Sequence, residues 1–341
     1  MFQFLKRERI YILILFFILA VNVIKVKQAE EYHHDKKESF SEMSFEDIGL
    51  TEEKIKDFFE SERPSARFFK YSIILGFLFF ATIFILNLGL IVRRKKIGSK
   101  PTSSKRPVSW GLVDLVRATL LIMFIAYIIT IIEGIAFKMF NLGMDVHLGV
   151  IINTFFIDIA AVVVILYFVM VKHKERLPAI GLQFSSFFKN ILSGITVYVF
   201  IVPVLFVVLL LSIRFLNIFE YIPPPQPVFE MFMEEKENKT LIFLTIFVSV
   251  LGPIIEEMFF RGFMYSAIKK YLGILGAAFL SACIFSVLHT NIVGFLPIMI
   301  LGIVLAYLYE TTGSLVAPIA VHILHNSIIV GFVFFIKELI A

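Results

Sequence analysis

The chain is poor in charge and has almost no cysteine. Asp, Glu, Lys and Arg make up only 17% of its 341 residues, while 59% are hydrophobic. A soluble domain carries about 25% charged and 45–50% apolar residues. With a mean hydropathy of +0.89, that excludes an ordinary soluble protein. The long apolar runs lack the two-residue alternation of a barrel strand. Helices are then the remaining way across a bilayer, and an all-α, polytopic helical bundle is expected. The one cysteine, Cys283, lies in an apolar run. It excludes an internal disulfide and argues against a thiolate metal cluster. No HExxH sequence occurs and no internal repeat is visible. The net charge of +5 sits mainly in loops beside apolar runs. That pattern orients a chain in a lipid bilayer and does not suggest nucleic-acid binding.

The first apolar run, about Ile10 to Val26, follows Lys6, Arg7 and Arg9. The residues after it, Lys25 to Ala29, lack small side chains at both cleavage-site positions. A retained signal anchor is favoured over a cleaved signal peptide. Residues 27–70 are polar and acid-rich, read as an exposed loop outside the membrane with a short helix near Thr51 to Ser61. A second span runs from about Tyr71 to Val92. It stops at Arg93-Arg94-Lys95-Lys96, and the basic, flexible segment 93–106 marks the cytoplasmic side and a domain boundary. Further spans are expected near 110–138, 149–171, 191–215, 240–268, 273–290, 294–310 and 315–337, about nine in all. The 172–189 loop is basic and the 216–239 loop acidic, which fits an N-terminus inside. Residues 1–106 read as an N-terminal extension and 107–341 as a second domain.

Charge reappears where lipid should be. Three polar clusters lie inside apolar runs: Glu256 to Arg261, Phe285 to His289 and His322 to Asn326. Two glutamates and an arginine left unpaired at helix centre would cost roughly 8–10 kcal/mol to insert. Glu257 and Arg261, four apart, face each other on one side of a helix, whereas Glu256 points about 100° away. Glu257 can thus be neutralised by Arg261 while Glu256 faces another helix, with the environment a general base needs. A bare salt-bridged latch explains that cluster equally well alone. Pro253 removes a backbone hydrogen bond one turn earlier and permits a kink. Phe285 and His289 share a face, as do His322 and Asn326. Singly, a histidine in an apolar helix is a buried hydrogen-bonding residue, and an asparagine is inter-helix glue.

Together they say more. Measured from the end carrying Lys269-Lys270, Glu256 lies about 20 Å deep, His289 about 24 Å, His322 about 12 Å and Asn326 about 18 Å. Separate helices bring a carboxylate, two imidazoles and an amide to overlapping depths. That is a hydrolytic constellation: the carboxylate deprotonates water, the imidazoles orient it or bind a metal, and the amide stabilises an oxyanion. A proton pathway uses similar groups, although inverted repeats, common among transporters, are not visible.

EExxxR, FxxxH and HxxxN, in that order on successive helices, resemble the CPBP family of type II CAAX prenyl proteases and bacteriocin-processing enzymes, also called Abi. The resemblance covers about residues 107–341, and Pro107 to Asp114 is similar to that family's usual opening. It implies an intramembrane endopeptidase, multi-pass in a prokaryotic plasma membrane. Carried over by position, Glu256 is the water-activating carboxylate and His289 its partner, and His322 and Asn326 bind the water or the oxyanion. Glu257, Arg261 and Phe285 are supporting. The family has been read both as zinc enzymes and as metal-independent. Glu256, His289 and His322 are the candidate ligands of a divalent metal such as zinc, and the metal-independent mechanism is favoured. The implied substrate is a peptide or membrane-associated protein, with a prenylated CAAX tail, a peptide leader and a membrane-protein segment all open. A transporter or proton relay and a catalytically silent scaffold or immunity protein remain alternatives. His325 reads as a packing residue, and His33, His34, His147 and His173 as incidental.

Overall fold

The computed structural model describes residues 2–33, 52–92, 108–140, 146–221 and 226–340. Every element among them is helical. In chain order these are α1 (Phe2–His33), α2 (Glu52–Glu60), α3 (Pro64–Val92), α4 (Leu112–Met139), α5 (Val146–Leu166), α6 (Phe187–Ile218), α7 (Pro227–Glu234), α8 (Asn238–Ile246), α9 (Gly252–Glu257), α10 (Ser266–Leu288), α11 (Phe295–Thr312) and α12 (Val316–Ile340). Runs of Leu, Ile, Phe and Val long enough to cross lipid must satisfy their backbone internally, and only a helix does so within one segment.

Seven helical stretches among the described residues are long and apolar enough to cross a membrane, fewer than the nine expected. One of the two missing spans has its origin at one place. The longest stretch, Asn238–Leu288, contains 51 residues. Straight, it would run about 76 Å, well over the ~30 Å hydrocarbon core. It breaks at Gly273, whose φ of 68° and ψ of −173° are closed to other residues. The expected spans 240–268 and 273–290 fall on its two arms. The expected span 10–26 falls on α1, which is not among the seven.

The helices surround α9 and the segments that flank it. α10 packs along α11, and α12 lies against α6, α11 and α9. Three apolar clusters fill the interior. One joins Trp110, Ile165, Phe168, Phe263, Phe285 and Tyr309. A second joins Ile151, Phe232, Phe247 and Val333. A third joins Tyr198, Leu305, Ala317 and Val321. α1 is held to α4 by an ion pair between Glu8 and Arg117, and α3 meets α6 through Phe80 and Phe206.

At the end of the bundle near Lys270, the Val108–Asp114 segment is locked in place. The Trp110 indole N–H donates to the Phe263 carbonyl at 3.0 Å, and Lys270 donates to the Trp110 carbonyl at 2.9 Å. Asp114 accepts from Lys172 at 2.6 Å and pairs with His173 at 3.0 Å. His173, expected to be incidental, is therefore part of a charge cluster. At the other end of α12, Phe58 and Phe59 of α2 pack on Phe335. This short helix occupies the position expected near 51–61, but it docks on the bundle. The acidic stretch 34–51, including His34, and the basic segment 93–106 lie outside the described residues, as do the side chains of His33 and His147.

Candidate active site

The carboxylates sit on an unusual piece of backbone. α9 is a short α-helical stretch between two π-helical turns, Phe247–Leu251 and Met258–Tyr265. Pro253 supplies a cause for the first. Its ring would clash with the carbonyl four residues back, at Ser249. The chain widens there, and the Gly252 N–H bonds the Phe247 carbonyl, five residues away. π-Turns inside α-helices occur frequently at functional sites.

Glu256 and Glu257 then meet different environments. The Glu257 side chain is 0% exposed, and its Oε1 accepts from Arg261 Nη1 at 2.7 Å. The same oxygen lies 2.9 Å from Nδ1 of His322 on α12. Arg261, 1% exposed, also donates to the Gly302 carbonyl at 3.4 Å, and its guanidinium lies over the Phe285 ring at 4.5 Å. Gly302 is required for this approach. A Cβ there would lie 2.9 Å from the Cβ of Ala282 and 3.5 Å from Arg261 Nη2.

Glu256 is left without a cation bonded to it. Its side chain is 36% exposed, and its Oε2, buried and without a hydrogen-bond partner, lies 3.7 Å from His322 Nε2. That is beyond a direct hydrogen bond and close enough for one water molecule to bond both. The histidine tautomers follow from their other contacts. His322 Nδ1 faces a carboxylate, so it carries the proton and Nε2 presents a lone pair in the neutral ring. His289 Nδ1 lies 2.8 Å from the Phe285 carbonyl, which can only accept, so its Nε2 is likewise the free acceptor. The Phe285 ring stands between the two imidazoles, 4.4 Å from His289 and 5.6 Å from His322, centroid to centroid.

Asn326 lies one turn beyond His322. Its amide donates to the Val248 carbonyl at 3.0 Å, within the π-turn Phe247–Leu251. One of its two N–H groups thus fixes the side chain, and the second remains available. His325 is held by the Tyr198 hydroxyl of α6, 2.9 Å from its Nδ1. Tyr198 escaped sequence reasoning because a tyrosine in an apolar helix has no spacing signal. Asp158, a carboxylate midway along α5, was equally absent from the sequence reading, although the insertion-cost argument applied to Glu256 would have found it.

The proposed metal set does not assemble. Among the described residues no group of three His, Cys, Asp or Glu side chains is arranged to hold an ion. The donors Glu256, His289 and His322 are therefore not assembled as a three-ligand zinc site, and no step below passes through a metal.

Residues 238–328 match the family model described as type II CAAX prenyl endopeptidase Rce1-like. The match spans α8 to the Asn326 turn of α12, and so includes every residue of the three clusters. The chain is 30% identical over 87 residues to "Putative membrane peptidase YdiL" of Bacillus subtilis (strain 168), which covers 26% of this chain and 36% of that protein. It is 33% identical over 102 residues to "Membrane-embedded CAAX protease MroQ" of Staphylococcus aureus (strain USA300), covering 28% of this chain and 40% of that one. The chain thus spans well under half the length of these curated relatives. No solved structure matches it.

Proposed function

Because residues 238–328 carry a domain of the Rce1-like type II CAAX prenyl endopeptidase family, we propose that the chain is an intramembrane endopeptidase in which Glu256 activates water. The observation that carries this reading is the contrast between two adjacent carboxylates. Glu257 is consumed by Arg261 and His322, whereas Glu256 Oε2 is unpartnered and faces His322 Nε2. A water between Glu256 and the imidazoles gives its proton to Glu256 and its oxygen to the substrate carbonyl carbon. The charge that develops on the carbonyl oxygen meets the free N–H of Asn326. When the C–N bond breaks, Glu256 returns the proton to the leaving amine, which closes the cycle. Arg261 and Glu257 act by orienting His322, and Phe285 spaces the two rings.

The proposed substrate class is a peptide or membrane-associated protein segment, such as a prenylated CAAX tail, a peptide leader or a segment of a membrane protein. Residues 107–341 are the proposed catalytic unit and 1–106 an N-terminal extension. The site is supported by the tautomers, since both Nε2 atoms are left as acceptors by independent hydrogen bonds. Comparative proteomics of the membrane and secreted fractions, wild type against Glu256→Ala, tests the reading. Substrates should accumulate uncleaved in the variant. Processing at the wild-type rate would overturn it.

A further inference from the structure

A groove opens where the N-terminal helices reach α12. α2 packs on both α3 and α12 and so bridges them. Phe69 of α3 meets Phe335 of α12 at 4.5 Å, beside Phe58 of α2. Next to that contact the walls part and leave about 340 Å³. The lining is wholly apolar: Ile55 and Phe59 of α2, Ile73 of α3, and Phe332, Phe335 and Leu339 of α12 are among it. A Cβ at Gly76, three residues past Ile73, would meet no atom within 4 Å, so the space beside α3 stays open.

The rim of this groove is cationic. Arg63 stands just before α3, and its carbonyl accepts from the Arg67 N–H at 3.1 Å. Arg63 and Lys70, seven apart, share one face of the helix, and Lys70 stands three residues before Ile73. Arg67 lies beside them. All three side chains are exposed. Among the described residues no carboxylate pairs with any of them. The acids of α2 point elsewhere. Glu53 and Asp57 each stand two residues from Ile55, about 200° round the helix from the groove, and Glu60 pairs with Lys56 at 4.0 Å.

Charge and apolar wall are therefore separated along the bilayer normal. α3 is long and apolar enough to cross a membrane from Pro64 to Leu86. Its first turns then lie among headgroups, while Ile73, roughly 14 Å along the helix, lies among acyl chains. One turn of a helix about 10 Å wide and about 5.4 Å long fills roughly 420 Å³, more than the groove holds. The groove thus suits a thin, flexible, apolar chain with a negative charge at one end.

We propose that the groove seats an acyl chain of an anionic phospholipid whose phosphate is met by Arg63, Arg67 and Lys70. The phosphate supplies the counter-charge for three neighbouring cations. The chain covers Ile73, Phe332 and Phe335. The lipid thereby joins α2 and α3 to α12, the helix that carries His322 and Asn326. None of this depends on the role given to Glu256.

Native mass spectrometry of the full chain in detergent, titrated with phosphatidylglycerol or with phosphatidylcholine, tests the site. Each cation is expected to contribute about five-fold, so wild type should prefer one phosphatidylglycerol by about 10²-fold. Arg63→Gln, Arg67→Gln and Lys70→Gln together should abolish the preference. Lys174→Gln with Arg176→Gln, on exposed positions after α5, should leave it intact. Ile73→Trp, which fills the groove, should weaken binding of both lipids. Equal binding of the two lipids by wild type, or a preference that survives the triple variant, overturns the headgroup contacts. Loss in the Lys174 and Arg176 control as well marks general adsorption and overturns the site. Undiminished binding by Ile73→Trp refutes the seat of the chain, and displacement of the lipid by inorganic phosphate alone refutes the lipid. Should Ile73→Trp fail to fold, the triple variant, confined to exposed side chains, decides.

Discussion

Arg261→Met removes a guanidinium from the most enclosed ion pair of the site. Arg261 and Glu257 are 1% and 0% exposed, and they meet at 2.7 Å. The methionine keeps much of the apolar stem but removes the guanidinium that lies over Phe285 and Phe260. What is lost is the charge, and Glu257 is left buried with His322 as its remaining partner. Breaking a buried pair by removing one member costs about 3–5 kcal/mol. A cost of about 3–5 kcal/mol is therefore expected. The assay is unfolding in sodium dodecyl sulfate, read by Trp110. It is the single tryptophan of the chain, it is buried, and its ring stacks on Phe263 at 5.5 Å, in the same π-turn as Arg261. Glu257→Gln combined with Arg261→Met should recover part of the loss, because neither partner is then left as an uncompensated charge. A cost under about 1 kcal/mol for Arg261→Met, or simple additivity in the double variant, would refute the pairing argument.

Gly302→Ala places a Cβ 2.9 Å from that of Ala282. It should destabilise by about 1–3 kcal/mol, measured by the same Trp110 titration, and an unchanged midpoint would show that α10 and α11 separate freely. Asp114→Asn weakens the Lys172 and His173 contacts and should cost about 1.5–3 kcal/mol, as for hydrogen bonds to charged groups. Its readout is earlier exposure of Trp110 to a soluble quencher. Asn326→Ala should leave the Trp110 emission native while slowing cleavage of the substrates found by proteomics by about 10²-fold, the cost of one oxyanion donor. An unchanged rate would remove Asn326 from the mechanism.

Much of the bundle was legible because apolar run length and helix spacing are strong signals. Tyr71 to Val92 lies within α3, and the expected spans 110–138 and 191–215 differ from α4 and α6 by a few residues at each end. The i, i+4 spacing of Glu257 and Arg261 was enough to put them on one face, and the ion pair lies there. Three things could not be read. The π-turns on either side of α9 leave no mark on hydrophobic pattern, since their residues are as apolar as the α-helix they interrupt. α7 lies in a loop read as merely acidic, and docks there through Met231 and Phe232 in the second cluster. The candidate metal set was judged by residue type alone, whereas among the described residues no three such donors are brought together. Which nitrogen of a histidine is free depends on a contact from another helix, and no single-chain spacing contains that.

The π-turns also make the site a matter of rotational phase. Each residue of an α-helix advances the direction of the next by about 100°, and a wide turn shifts that count for everything beyond it. Glu256 is aimed by a turn before it, and Arg261 lies inside the turn after it. Deleting one residue from Met258–Tyr265, with all three sequence motifs kept, would swing the Lys269 end of the helix by roughly a quarter turn against the carboxylates. Tyr265 and Lys269, which both bond Glu310 of α11, would then face away from it. The number of residues between the clusters is thus as much a part of the site as their identity, and a chain could lose its activity by length alone.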